Sequence, residues 1–240
     1  MNSLLSCFDH IYIINLPRRT DRRRAISRDL RRCGILLPSD RIEFFPAIRP
    51  AEPGDFPTVG ARGCFLSHLS VLRKALAEGQ QRIVVMEDDL ALHREFSELI
   101  GDHCGALQEQ RWDIAYLGHV LPTQEGGSPF FQASCAIIQS HFVAFNRTIL
   151  PRLINFLETV LARPGGHPDG GPMHVDAAYS TFRLRRRDSC RPAKPGQATL
   201  QPIRYCRSPA FGSASLWKEP SFLCALDQES LELLTFECLT

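Results

Sequence analysis

The sequence predicts an α/β fold in which helices flank a central sheet. Strand-type and helix-type segments alternate through the first ninety residues, which is the order expected of such a sheet. The segment Ile83-Val84-Val85-Met86 is continuously apolar, as is typical of strands buried on both faces. The chain has 240 residues, 44% of them hydrophobic, so it can form a large core in a single domain.

The first elements are expected at 11–14, a strand of apolar and aromatic residues, and at 21–33, a helix capped by Thr20. Pro17 ends the strand because proline cannot continue a central ladder, and Gly34 stops the helix. The later elements follow from the same hydrophobic periods. They are a strand at 42–45, a loop at 46–62, helices at 65–76 and 95–107, strands at 112–117 and 136–145, a helix at 149–161, a loop at 163–172, a helix at 175–184, and an irregular C-terminal part.

Three consecutive carboxylates, Glu87, Asp88 and Asp89, follow the strand that begins at Ile83. In open α/β sheets, ligands bind beyond the carboxyl ends of the strands, where these acids fall. Side chains two apart on a strand share a face, so Glu87 and Asp89 are expected to converge on one cation while Asp88 points elsewhere. Such ligands suit Mg²⁺ or Mn²⁺ shared with substrate phosphates, and indicate metal-assisted departure of a phosphate or nucleotide diphosphate. The alternative is an acidic strand end that caps the next helix.

Eight arginines lie between Arg18 and Arg32, although the net charge of the chain is only +2. Asn15, Arg18 and Arg22 follow the first strand, a position that suits contacts with the base and phosphates of a nucleotide. A solvated helix face is favoured for the arginines beyond these two. A patch for nucleic acid or anionic lipid is the alternative, but no nucleic acid is expected because interleaved aromatics and a recognised motif are missing.

Nine cysteines, an odd number without CxxC spacing, argue against a structural zinc site or a full disulfide framework. A reducing cytoplasm is the simplest interpretation. No segment reaches the roughly 20 apolar residues that span a membrane, and Asp9 and His10 interrupt the N-terminal apolar run, unlike a signal peptide. We expect a cytoplasmic protein, and peripheral contact with the anionic inner face of the membrane stays open.

Four separated motifs agree in identity and order with those of a known family. They are Ile13-Ile14-Asn15-Leu16-Pro17-Arg18-Arg19-Thr20-Asp21-Arg22, Gly63-Cys64-Phe65-Leu66-Ser67-His68, Val85-Met86-Glu87-Asp88-Asp89 and Trp112-Asp113-Ile114-Ala115-Tyr116-Leu117-Gly118. The chain resembles glycosyltransferase family 25, which includes bacterial lipooligosaccharide galactosyltransferases and collagen hydroxylysine galactosyltransferases. The resemblance covers about 11–161 and continues weakly through 174–176. The segments 205–208 and 213–216 lack a Gln and an Asp that the family often carries there.

The resemblance implies a glycosyltransferase A fold, with a Rossmann-like central mixed sheet flanked by helices. It implies a UDP-galactose or UDP-glucose donor, Mn²⁺ or Mg²⁺, and inversion at the anomeric carbon. The acceptor would be a glycan, a lipid-linked glycan or a protein, and lipopolysaccharide biosynthesis is one such setting. Residues 1–118 would form the nucleotide-sugar-binding half of a single domain spanning 1–240. Residues 119–240 would form the acceptor side, with a mobile loop at 163–172.

On the matching positions, the resemblance assigns Glu87 and Asp89 to the metal and Asp88 to the ribose or to a contact behind the ligands. It assigns Ser67 and His68 to the donor site, although a lone histidine on an apolar helix is usually structural.

An inverting transfer by direct displacement needs a base that takes the proton of the acceptor hydroxyl. Asp176 is the expected base because it follows the loop 163–172 and resembles a late aspartate of the family. His174 and Asp169 are further candidates, and a helix-terminal acid that acts on the helix dipole is the alternative for Asp176. Two other functions stay open. They are a catalytically inactive nucleotide-sugar-binding homologue, suggested by the missing Gln and Asp, and a basic nucleic-acid-binding domain.

Overall fold

The computed structural model describes residues 3–92, 96, 104–105, 107–109, 111–120, 130–131, 136–189 and 199–200. In these ranges the strands are β1 His10–Asn15, β2 Ile42–Pro46, β3 Arg82–Glu87, β4 Ile114–Val120, β5 Phe130–Phe131, β6 Ile138–Asn146 and β7 Thr199–Leu200. The helices are α1 Ser3–Cys7, α2 Thr20–Arg32, α3 Val59–Ala77, α4 Leu150–Ala162 and α5 Val175–Ser189, and a 3-10 turn, Arg147–Ile149, precedes α4.

The centre of the fold is a five-stranded sheet in the order β2-β1-β3-β6-β4. β1 pairs in parallel with β2 and with β3. β6 then runs antiparallel to both β3 and β4, while β5 and β7 form a separate antiparallel pair. This mixed sheet with flanking helices confirms the α/β fold that the sequence predicts.

Both faces of the central strands are buried, which explains the continuous apolar run in β3. Val84 and Met86 pack with residues of α1 and α2 in one core. Ile83 and Val85 pack with residues of α3, α4 and α5 in the other. Because side chains alternate between the faces of a strand, each face needs its own apolar set. The carboxylates therefore begin where β3 leaves the two cores.

Two helix starts differ from the predicted ones. α3 begins at Val59 within the predicted loop 46–62, because the hydroxyl of Thr58 accepts a hydrogen bond from the Ala61 amide and caps the helix. In α2, Thr20 lies inside the helix and Arg19 is the cap residue. Among the residues that the structure describes, no side chain caps this end.

Gly63 lets α3 approach the segment that follows β2. A Cβ at this position would lie 2.6 Å from the carbonyl oxygen of Ile48, a distance too short for any side chain. Residues 47–49 and the start of α3 therefore form one continuous wall next to the end of β3.

Some predicted segments consist of residues that the structure does not describe. Most of the predicted helix 95–107, and the C-terminal segments 205–208 and 213–216, lie outside the described residues.

Cys7 and Cys104 form a disulfide with Cα atoms 5.8 Å apart, a pairing that the expectation of a reducing cytoplasm does not anticipate. Within the described ranges, no helix combines the length and apolar character needed to cross a membrane.

Candidate active site

The carboxylates at the end of β3 divide between two sets of partners. The Nδ1 atom of His141 lies 3.3 Å from Oε2 of Glu87 and 3.8 Å from Oδ1 of Asp89. One ligand atom from each of these three residues lies within 4.8 Å of the other two. Asp88 accepts hydrogen bonds from Asn15 and Arg22. Because β3 ends at Glu87, Asp88 and Asp89 lie in the turn that follows the strand, so the turn and not strand alternation gives Asp88 partners of its own.

His141 reaches this cluster because of the pairing between β3 and β6. Met86 pairs with Phe142 in that antiparallel ladder, so the preceding residue of β6 stands opposite Glu87. His141 is not among the residues that the sequence singles out. The only local signal is a histidine inside a largely apolar strand, and nothing local shows which strand lies beside it.

Charge coupling within the cluster shifts the pKa of each group. Burial raises the pKa of Glu87, but hydrogen bonds with His141 and His68 outweigh burial and hold it well below its usual range. Burial lowers the pKa of His141, and the adjacent Glu87 and Asp89 raise it above its ordinary value. The pKa of Asp89 is raised, first by burial and then by the charge of Glu87. Asp89 is therefore the acid of this cluster whose charge is least favoured without a cation.

One oxygen of Asp89 accepts no hydrogen bond from the residues that the structure describes. Its Oδ1 atom is buried and accepts no hydrogen bond among the described residues, while Oδ2 lies 3.4 Å from the guanidinium of Arg22. Buried carboxylate oxygens are normally satisfied, so this atom is suited to a ligand. Two carboxylates and one imidazole are a donor set that fits a divalent metal ion.

Asn15 and Arg22 hold Asp88 in place. The side-chain amide of Asn15 donates to Oδ2 of Asp88 over 2.7 Å, and Arg22 donates to Oδ1 over 2.9 Å. Asn15 is only 3% exposed, so it binds the carboxylate from inside the fold, and its expected contact with a nucleotide stays a prediction. Its amide also donates to the carbonyl oxygen of Arg19, which fixes the turn that leads into α2.

A cavity of about 430 Å³ opens beside the acids. Its lining carries three acids and three arginines, namely Glu87, Asp88, Asp89, Arg18, Arg22 and Arg49. Arg18 and Arg22 were predicted to meet the nucleotide, whereas Arg49 was not. Arg49 follows β2, which lies beside β1, so the carboxyl ends of neighbouring strands bring these arginines together. A cavity lined by both carboxylates and guanidinium groups suits an anionic ligand that binds together with a cation.

Ser67 and His68 have different surroundings, although both were predicted for the donor site. Ser67 lines the cavity, but its hydroxyl donates to the Gly63 carbonyl and accepts from the Ile48 amide. His68 is 0% exposed. Its Nε2 atom lies 3.4 Å from Oε1 of Glu87, and its Nδ1 atom lies 3.1 Å from the hydroxyl of Tyr179. His68 therefore supports Glu87 from the side away from His141.

The predicted base lies in the first turn of α5. Oδ1 of Asp176 accepts from the Ala177 amide over 2.9 Å, as an acid at a helix start does. Burial is the largest influence on the pKa of His141, and the charge of Asp176 is among the smaller ones. Asp176 thus lies within electrostatic range of the cluster.

The two weaker candidates for the base lie at other positions. The carbonyl of His174 accepts from the Ala178 amide, so His174 lies at the start of α5. Asp169 is exposed, with an oxygen 4.0 Å from Arg185.

The loop 163–172 is held in defined turns. The guanidinium of Arg163 donates to the carbonyl oxygens of Asp169 and Gly170. The Gly165 amide donates to Oδ2 of Asp55 over 3.1 Å. Asp55 precedes α3, whose first residues line the cavity. The loop is therefore anchored close to the cavity wall, and its mobility stays a prediction.

Comparison with known proteins points to the same family as the motifs. Residues 53–124 match the family described as "Glycosyltransferase family 25 (LPS biosynthesis protein)". The chain is 30% identical over 134 residues to "Glycosyltransferase 25 family member" of Aedes aegypti, which covers 45% of this chain and 21% of the relative. These matches confirm the resemblance to glycosyltransferase family 25.

Two further relatives carry different names. "Procollagen galactosyltransferase 1" of Danio rerio is 31% identical over 129 residues, covering 46% of this chain and 21% of the relative. "Inactive glycosyltransferase 25 family member 3" of Homo sapiens is 30% identical over 138 residues, covering 49% and 23%. The chain spans about a fifth of the length of the curated relatives it matches.

Proposed function

We propose that this protein is an inverting, metal-dependent glycosyltransferase that moves galactose or glucose from a UDP-sugar to an acceptor hydroxyl. The convergence of Glu87, Asp89 and His141 at the edge of an arginine-lined cavity carries the proposal. A nucleoside diphosphate combines the two features that this cavity complements, namely phosphate charge and the need for a divalent cation. The similarity to a protein named as a procollagen galactosyltransferase supports a hexose as the transferred group.

Glu87, Asp89 and His141 would hold the divalent cation. Oδ1 of Asp89 is buried and accepts no hydrogen bond among the described residues, which supports this assignment. When bound, the cation offsets the negative charge that develops on UDP as the bond to the sugar breaks. Carboxylate oxygens suit both Mg²⁺ and Mn²⁺, but an imidazole nitrogen is a better ligand for transition metals. The donor set therefore favours Mn²⁺.

The arginines around the cavity would position the diphosphate. Arg18 and Arg49 line the cavity, and a guanidinium matches the geometry of phosphate oxygens. Arg22 already bridges Asp88 and Asp89. Arg22 therefore fixes the turn that contains Asp88 and Asp89, and it also presents a positive charge to the cavity.

Asp176 is the base in this proposal. The acceptor oxygen attacks the anomeric carbon from the face opposite to UDP, the bond between the sugar and the diphosphate breaks, and the hydroxyl proton passes to the carboxylate. The partial exposure of Asp176 and its electrostatic reach to His141 support this role. His174, two residues earlier, is the alternative base.

The acceptor is a hydroxyl of a glycan, a lipid-linked glycan or a protein. Binding of a nucleotide sugar without transfer is the second candidate function, since some similar proteins are named inactive. The acid and histidine cluster supports transfer, because a cation beside the diphosphate can stabilise UDP as a leaving group.

The test is a panel of UDP-sugars, each incubated with the protein, Mn²⁺ and candidate acceptors. Free UDP and glycosylated products are measured by mass spectrometry. The expected result is UDP release from UDP-galactose or UDP-glucose that stops on addition of EDTA. Tight UDP binding with no release of sugar from any donor would instead assign the protein to the binding class.

A further inference from the structure

We propose that Cys64, His68 and Glu87 form a second cation site, which takes a soft or borderline divalent ion such as Zn²⁺. This site lies on the α3 side of Glu87, away from His141. One ligand atom from each of these three residues lies within 4.8 Å of the other two. The site can exist whether or not the protein transfers sugar. Its effect on transfer rests on the proposed function.

Two of the three distances among the ligand atoms match the edges of a tetrahedral zinc site. Sγ of Cys64 lies 3.5 Å from Oε1 of Glu87, and Nε2 of His68 lies 3.4 Å from the same oxygen. With zinc bonds of about 2.3 Å to sulfur and about 2.0 Å to nitrogen or oxygen, tetrahedral angles separate these ligand pairs by about 3.5 Å and 3.3 Å. The two contacts of Glu87 therefore already have the length that a shared ion requires, and Sγ of Cys64 and Nε2 of His68 lie within 4.8 Å of each other.

His68 is oriented as a zinc ligand commonly is. Its Nδ1 atom lies 3.1 Å from the hydroxyl of Tyr179, which leaves Nε2 directed towards Glu87. Metal-binding histidines almost always use their second ring nitrogen in such a hydrogen bond, which fixes the tautomer and the ring. His68 and Tyr179 are both fully buried, so the imidazole is held before any ion arrives.

Cys64 supplies both selectivity and access. A thiolate prefers Zn²⁺ to Mg²⁺ or Mn²⁺, in contrast to the oxygen-rich group formed by Glu87, Asp89 and His141. Cys64 also lines the cavity, so an ion can reach the site from solvent, with water as its fourth ligand. The thiol proton is released to solvent as the zinc–sulfur bond forms.

Glu87 links the two sites through different oxygens. Oε1 faces Cys64 and His68, whereas Oε2 faces His141. An ion on one oxygen withdraws charge from the other and repels a second cation nearby. Zn²⁺ at Cys64 should therefore weaken Mn²⁺ at Asp89 and inhibit the proposed transfer.

Cobalt is the probe, because a thiolate ligand gives Co²⁺ a sulfur-to-metal charge-transfer band in the near ultraviolet. Co²⁺ is titrated into the full chain in the absence of donor, and Zn²⁺ is then added to displace it. The parent protein should show the band at one equivalent, and Cys64→Ser should lose it. Cys33→Ser is the matched control, because Cys33 lies in the core on the other side of the sheet, and it should keep the band.

The affinity of the site provides a second readout. Cys64→Ala and Tyr179→Phe should each weaken Zn²⁺ binding by at least about 10-fold in a calorimetric titration, since even outer partners of metal ligands contribute 10–100-fold. Tyr179→Phe keeps the buried ring and remains informative if the cysteine variants fail to fold.

Absence of the cobalt band in the parent protein, or its persistence in Cys64→Ser, would overturn the assignment. Asp89→Asn separates this proposal from the proposed function, because it should lose Mn²⁺ binding while keeping the cobalt band. A protein that shows the band but never transfers sugar would refute only the proposed function.

Discussion

His141 stands opposite Glu87 across the antiparallel pair of β3 and β6, with its Nδ1 atom 3.3 Å from the carboxylate. Oδ1 of Asp89 lies 3.8 Å from the same imidazole nitrogen. The nitrogen of His141 on β6 and the carboxylate oxygens at the end of β3 thus form one group of potential metal ligands.

Asp89→Asn should abolish Mn²⁺ binding and nearly abolish transfer, while the unfolding midpoint stays within a few degrees of the parent. The asparagine keeps the shape of the side chain but removes the charge that the cation needs. Calorimetry with Mn²⁺ and UDP release measure the two effects. Asp40→Asn, at an exposed acid, is the control and should behave like the parent. Transfer at the parent rate in Asp89→Asn, or in the presence of EDTA, would refute the metal assignment.

Arg18→Ala should weaken UDP binding by about 1.5–3 kcal/mol if the guanidinium makes a charge-assisted hydrogen bond to a phosphate. Arg28→Ala is the control, because Arg28 is exposed on α2 and does not line the cavity. Arg22→Ala should lower both UDP affinity and stability, because it also removes a partner of Asp88. Equal UDP affinities in Arg18→Ala and Arg28→Ala would place the phosphates elsewhere.

Asn15→Ala should destabilise the fold by about 1–3 kcal/mol, the cost of leaving a buried acceptor with one partner fewer. Asn15 donates to Asp88, which is only 8% exposed. Urea unfolding of Asn15→Ala, Asp88→Ala and the double variant gives the coupling energy between the two side chains. If the single changes add without coupling, the hydrogen bond contributes nothing and Asn15 acts in some other way.

Asp176→Asn should lower transfer by about 10² or more, since positioned general bases commonly contribute that much. UDP affinity should not change, because the base faces the acceptor. Single-turnover rates and UDP titrations separate these effects. Loss of stability with a normal transfer rate would show that Asp176 serves only the start of α5.

The loop 163–172 should close over the site when donor binds, as lids on transferases do. Asp55→Ala removes the side chain that binds the Gly165 amide and should make the loop easier to cleave. Limited proteolysis with and without UDP and Mn²⁺ is the measurement. Cleavage that is equally fast in both conditions would count against a lid.

His10 should make stability depend on pH. Burial lowers the pKa of His10 below its ordinary value of 6.5, although Glu43 raises it in part. Between the folded pKa and 6.5 the unfolded chain binds more protons, so stability rises with pH through that window and is complete above it. Falling pH removes this contribution. Urea midpoints above and below pH 6.5 should differ less in His10→Gln than in the parent, and identical differences would exclude His10 as a cause.

The sequence by itself determines the long elements of the fold and the place of the acids. It predicts neither the short helix α1 nor the β5–β7 pair, and β7 lies in the part expected to be irregular. The spacing of apolar residues along the chain is a local property of the sequence. For this reason β1, β2, β3 and α4 begin and end close to their predicted positions. The start of α3 is the main local error, because a single capping hydroxyl at Thr58 extends that helix into a region of loop-like composition.

The tertiary structure decides which side chains meet the acids. His141 joins Glu87 through a ladder that connects residues 54 positions apart, and no local period reveals that pairing. Asn15 and His68 do not line the cavity but contact two acids that do, because carboxylates at the edge of the core need hydrogen-bond donors and these two residues lie within reach. A sequence shows which residues can bind a phosphate or a metal, but only the packing of distant elements determines whether their partner is a ligand or another part of the protein.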